Sequence, residues 1–204
     1  MSDYRLIWLS LLAILVASSL MLMQLLRRHT GGRERFKKWE WSINRGFRRG
    51  EPGVVQIEGL DDIRHHTLRA LEHYVRRRDG VAIYKIHSVG PNDRVQTWHL
   101  LTHVVDGYSA PIALRPTAAT VSVIDLMGLT QFPKLSTESR FAVYGLRATD
   151  ARELVAGPVR ALIPPDIGLI LSADQLILDF TLRPFDTVEF SRVLAVAEQL
   201  KTIV

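Results

Sequence analysis

Val81-Ala-Ile-Tyr-Lys-Ile-His-Ser88 and Arg94-Val-Gln-Thr-Trp-His-Leu-Leu-Thr-His-Val-Val105, joined through Gly90-Pro91-Asn92-Asp93, decide the fold class of this chain. Both runs are rich in β-branched and aromatic residues, and the connection between them is built from turn formers, so they read as a β-hairpin. Working outward, Val54–Glu58 and Pro111–Arg115 are short strand candidates, and Arg140–Leu146 is another. Asp61 and Asp62 are placed to cap a helix running to about Arg78, with Ile63, Thr67, Ala70, Leu71, Tyr74 and Val75 on its buried face. Asp150 with Glu153 forms a capping-box pattern, opening a helix that Gly157-Pro158 interrupts and Pro164-Pro165 ends. Ile167–Leu171 and Gln175–Phe180 flank Ser172-Ala173-Asp174, a second hairpin by the same reading. Asp186 with Glu189 then opens a helix whose apolar face is Phe190, Val193, Leu194, Ala197 and Leu200. Helices and strands do not alternate strictly. The expectation is therefore α+β, a mainly antiparallel sheet with three to four helices over residues 53–204.

The N-terminal part is different in kind. Leu6 to Leu26 is 21 residues without a charge. As a helix it would extend ~31 Å at ~1.5 Å per residue, the thickness of a bilayer's hydrocarbon core, so residues 1–28 are expected to be a transmembrane helix. A cleaved signal peptide would have a basic start, a shorter apolar run and a small-residue cleavage site after it. Nine Lys and Arg lie between Arg27 and Arg49, against Arg5 alone before the span. The positive-inside rule then places the N-terminus outside and the domain in the cytoplasm, at the inner membrane of a bacterium. Ser10, Ala13 and Ala17, with Gln24 seven residues further on, form a stripe on which another transmembrane helix could pack. Trp8 at one boundary and Arg27 and Arg28 at the other fit the interface.

Residues 29–52 read as a basic amphipathic juxtamembrane segment. Phe36, Trp39, Ile43 and Phe47 recur at spacings of 3, 4 and 4, with Lys37, Lys38 and Trp41 among them. Such a helix suits anionic lipid headgroups. The charge distribution agrees: the net +5 of the chain separates into +7 over residues 1–50 and −2 over residues 51–204. Basicity confined to that flank argues against nucleic acid as a partner.

Four segments, Pro111-Ile-Ala-Leu-Arg-Pro116, Phe141-Ala-Val-Tyr-Gly145, Leu176-Ile-Leu-Asp-Phe180 and Phe185-Asp-Thr-Val-Glu-Phe190, in this order of elements, resemble an uncharacterised family of bacterial membrane-anchored proteins. The resemblance covers roughly residues 64–200. It implies the α+β architecture and brings no activity, cofactor or catalytic residue.

The residues offer little chemistry. His99-Leu-Leu-Thr-His103 has the outer spacing of a zinc-protease motif but lacks its Glu, and in a strand two residues four apart lie ~13 Å from each other. His66 and His73, with Arg69 and Arg77, are read as one solvated face of the first helix. The chain has no cysteine, no Gly-x-Ser-x-Gly elbow, no P-loop and no dinucleotide fingerprint. With no ionisable group and no histidine inside Leu6–Leu26, ion conduction and haem ligation there are disfavoured. No catalytic residue, metal or cofactor is assigned. The expectation is a non-catalytic accessory subunit of a larger membrane complex, respiratory or photosynthetic, packed against other transmembrane subunits. A membrane-surface scaffold recruiting a soluble partner is the alternative, and a membrane-anchored enzyme without a recognisable motif comes third.

Overall fold

The computed structural model describes residues 31–57, 67–89, 95–137, 140–146, 149 and 157–203, together with 15, 16, 18, 19 and 21. The chain divides into two compact units, Met1–Trp41 and Ser42–Val204. In chain order the described elements are helix α1 (residues 31–44), β1 (Arg48–Arg49), β2 (Gly53–Val54), β3 (Thr67–Arg76), β4 (Val81–Val89), β5 (Val95–Pro116), α2 (Val123–Leu126) and a 3-10 turn (Leu129–Gln131). They continue with β6 (Lys134–Thr137), β7 (Phe141–Gly145), α3 (Pro158–Leu162), β8 (Gly168–Asp179) and α4 (Thr187–Lys201).

Every described strand pairing is antiparallel, in the order β1-β3-β4-β5-β7-β6, with β2 also on β3 and β8 on the other side of β5. Strand β5 is the organiser. Its 22 residues pair β4 along their first half (Ala82 opposite Thr102, Val89 opposite Val95) and β7 along their second (Ile112 opposite Gly145). Strand β8 runs along both halves, from Leu100 opposite Asp179 to Leu114 opposite Leu169. Register shifts either side of Tyr108 bend this pair, as bulges do.

Both faces of the sheet are covered. On one, Ile57, Leu68, Ala70, Ile86, Trp98, Leu100, Ala113, Ile170 and Ile177 pack with Val123, Ile124 and Leu129. On the other, α4 lies on β5 and β8. It buries Phe190, Val193, Leu194, Ala197 and Leu200 completely, the face that the sequence marks out. Burying a side chain the size of Phe190 contributes about 1.5–3 kcal/mol. Asp186 caps this helix, its Oδ1 accepting from the Val188 and Glu189 amides at 3.0 Å each.

Several expectations are corrected. Among the described residues no helix is long and apolar enough to cross a membrane. The transmembrane helix, the single-pass topology and the inner-membrane localisation with the N-terminus outside are withdrawn on that finding. So are the α+β class built on such an anchor and the role of single-pass subunit in a respiratory or photosynthetic complex. Most of the stretch Leu6–Leu26 lies outside the described residues.

The helix expected to reach Arg78 is instead strand β3 from Thr67 on, residues 61–66 lying outside the described residues. A register shift between Ala70 and Glu72 explains the misreading. Before it, Leu68 and Ala70 meet the core beside Ile86. After it, Tyr74 stands opposite Ile83 and its ring packs on Phe190 of α4, 5.8 Å between centroids. A strand that changes its buried face at a bulge imitates the 3-and-4 spacing of a helix.

Ser172-Ala173-Asp174 makes no hairpin. It passes straight through β8, opposite the bent part of β5. It lacks the Gly or Asn that a two-residue turn needs at positive φ. Pro111–Arg115 is likewise the continuation of β5.

Candidate functional site

Helix α1 carries exposed apolar and basic side chains together. Phe36 is 59% exposed and Trp39 54%, their rings 5.6 Å apart at the centroids, and Ile43 is 54% exposed. Arg33, Arg35, Lys37, Lys38 and Arg45 are interleaved with them in sequence. Lys37 reaches Glu34 one turn back at 2.9 Å, a pair about half exposed on each side and so worth little to stability.

The helix ends at a defined point. The Gly46 amide donates to the Ile43 carbonyl at 3.0 Å and the Phe47 amide to the Ser42 carbonyl at 2.7 Å. With Gly46 at φ +74°, this is a Schellman stop, which needs a left-handed residue at that position. The residue after it is buried, as the motif favours: Phe47 is 3% exposed and lies beneath the Arg76 guanidinium, 5.0 Å from its ring centre. The face expected over Phe36, Trp39, Ile43 and Phe47 therefore splits. Phe47 is the plug that joins the helix exit to the sheet, not an interfacial side chain.

Of the other residues singled out in the sequence, Lys38 and Trp41 are half-buried. Trp8, Ser10, Ala13, Ala17, Gln24, Arg27 and Arg28 lie outside the described residues, as does His66. His99 and His103 sit in β5 with separate partners. His99 Nδ1 lies 2.9 Å from the Arg183 carbonyl, its ring against Phe180 and Phe185. His103 Nδ1 lies 2.8 Å from the Val104 carbonyl, and burial, helped by nearby Lys201, lowers its pKa. His73 stacks on Tyr84 at 5.8 Å, and burial lowers its pKa too. Among the described residues no group of three His, Asp or Glu is placed to hold a metal.

Several buried polar groups of the domain are committed to its own architecture. Asp179 Oδ2 accepts from Ser122 Oγ and the Val123 amide at 2.8 and 2.9 Å, while Oδ1 accepts from Thr181 Oγ1 and its amide at 2.6 and 3.1 Å. Arg183 donates two parallel hydrogen bonds to Asp166, at 2.8 and 2.7 Å, and a third to Glu189 at 2.9 Å. That Arg183 bond holds the Asp166 carboxyl below its usual range. Arg76 joins Asp79 to Glu198 of α4, and Arg115 joins β5 to Asp125 of α2. Trp98 Nε1 donates to Ser88 Oγ at 2.8 Å inside the core. None of these interactions follows from a sequence motif. Ser122 with Asp125 forms a capping box, but the helix it opens is four residues long, too short to show an apolar period.

No protein-family model matches the chain, and no curated protein does. Among solved structures, the mycobacterial trehalose monomycolate transport factor A, TtfA, is similar in fold. The TM-score is 0.54 at 10% identity, over 81% of this chain and 91% of that one. At that identity the likeness is one of architecture.

Proposed function

We propose that this chain is a non-catalytic accessory factor that works by binding, with helix α1 as its seat on anionic lipid headgroups. One observation carries the reading: Phe36 and Trp39, adjacent rings each more than half exposed, stand on a helix that carries Arg33, Arg35, Lys37 and Lys38. Aromatic rings at the headgroup boundary with cations around them are the pattern of an interfacial helix. Each basic residue near an anionic surface adds about 1 kcal/mol of attraction, and salt screens it. The sheet domain supports a binding role because Asp166, Asp179, Arg183 and His99 are tied into structural bonds.

The test compares the full chain with its Phe36→Ser and Trp39→Ser variants in co-sedimentation with vesicles of phosphatidylglycerol or of phosphatidylcholine. Preference for phosphatidylglycerol that both variants weaken is the expected result. Equal binding of the three proteins to both vesicles would contradict the assignment.

A further inference from the structure

Where the helix exit meets the first hairpin of the sheet there is a cleft of about 320 Å³ lined by Gly46, Arg48, Val75, Arg77 and Arg78. We propose that this cleft binds a phosphate group, carried either by a lipid headgroup or by a small soluble phosphate. The proposal rests on the cleft alone and stands whether or not helix α1 seats on lipid.

The three arginines come from two separate stretches and are brought together by pairing. Arg48 stands directly opposite Val75 in the β1–β3 register, and Arg77 follows Val75 by two residues. Alternation in the strands sends neighbouring residues the other way: Phe47 and Arg76 are buried together, with Arg76 bound to Glu198 of α4. The acidic residue of the hairpin is also removed from the cleft. Asp79 is turned to Arg76, 2.8 Å from its Nη2 and 2.9 Å from its Nε. Arg48, Arg77 and Arg78 are all exposed, and among the described residues none has a carboxylate partner.

Four other arginines of the fold are instead tied to carboxylates. Arg76, Arg115, Arg183 and Arg192 each hold a carboxylate at 2.6–2.9 Å. Three guanidinium groups gathered without a counterion repel one another, and a dianion relieves that. The guanidinium fork matches the oxygen spacing of phosphate and donates to it in pairs. The volume lies at the lower end of small-ligand sites, room for a phosphate and its ester substituent rather than a large cofactor. Gly46 forms part of the wall, and a Cβ added there would meet nothing within 4 Å, so the cleft is open on that side.

The experiment titrates the full chain with inorganic phosphate at constant ionic strength, followed by calorimetry, and repeats it with vesicles containing phosphatidic acid. Arg48→Gln and Arg77→Gln are compared with Arg69→Gln, an exposed arginine of β3 that does not line the cleft. Circular dichroism confirms that each variant is folded. Saturable binding weakened about tenfold or more by each cleft variant, and less than about twofold by Arg69→Gln, is expected. Phosphatidic acid alone showing this dependence identifies a headgroup as the source, and inorganic phosphate showing it identifies a soluble ligand. No saturable binding of either probe, or equal weakening by Arg69→Gln, overturns the proposal.

Discussion

Asp179, the last residue of β8, accepts a hydrogen bond from Ser122 Oγ at 2.8 Å across 57 positions of sequence. Through it the sheet caps α2, a helix too short to be stable alone. The carboxylate is 5% exposed and all four of its described hydrogen bonds come from Ser122, Val123 and Thr181. Asp179→Ala leaves these donors without their acceptor, and the expected loss is about 2–4 kcal/mol in urea unfolding. Ser122→Ala alone costs about 1–2 kcal/mol. The two losses are expected to be less than additive, because both remove the same bond.

Acid titration reports on Arg183 and Asp166. The pair holds the Asp166 carboxyl below the ordinary value of about 3.9, so its stabilisation is fully present above that pH. It is lost as pH falls through the lower folded value. Measured by urea unfolding from pH 7 to pH 2, wild type is more stable than Asp166→Asn at neutral pH, and the difference closes as pH falls below the ordinary carboxylate range. A difference independent of pH would mean that Asp166 contributes packing and not charge. The Asp166 side chain is 35% exposed, so screening keeps the effect small.

Gly50 and His73 are in closest approach. A Cβ on Gly50 would fall 1.7 Å from His73 Nε2, while the Gly50 amide donates to the His73 carbonyl at 3.0 Å. Gly50→Ala therefore displaces a ring stacked on Tyr84 and costs about 1–3 kcal/mol in thermal unfolding. In a His73→Ala background the same substitution is expected to cost less than half as much. Equal costs in the two backgrounds would show that the ring is not what the new methyl meets.

Strands β3, β5 and β8 are where local sequence pattern and structure part. Local patterns were sufficient where one face is buried: α4 follows its apolar period from Phe190 to Leu200, and its cap at Asp186 is in place. They failed where burial changes sides. The bulge after Ala70 gave β3 a helical spacing, and the bends beside Tyr108 hid the continuity of two long strands. The cleft of Arg48, Arg77 and Arg78 was out of reach for another reason. It depends on a two-residue strand pairing across about 27 residues, and short edge strands carry no periodicity. In helix α1 the spacing was legible, but only the Schellman stop at Gly46 shows that Phe47 belongs to the core.

A cysteine-free chain permits a single-site reading of helix α1. Phe36→Cys, labelled with an environment-sensitive fluorophore, reports on the surface that the function assigned here requires. On addition of phosphatidylglycerol vesicles its emission is expected to shift to the blue, with reversal at high salt. The same label at Val188→Cys, an exposed position on α4, is expected to stay unchanged. No shift at residue 36, or equal shifts at both positions, would contradict the seating of α1 on anionic lipid.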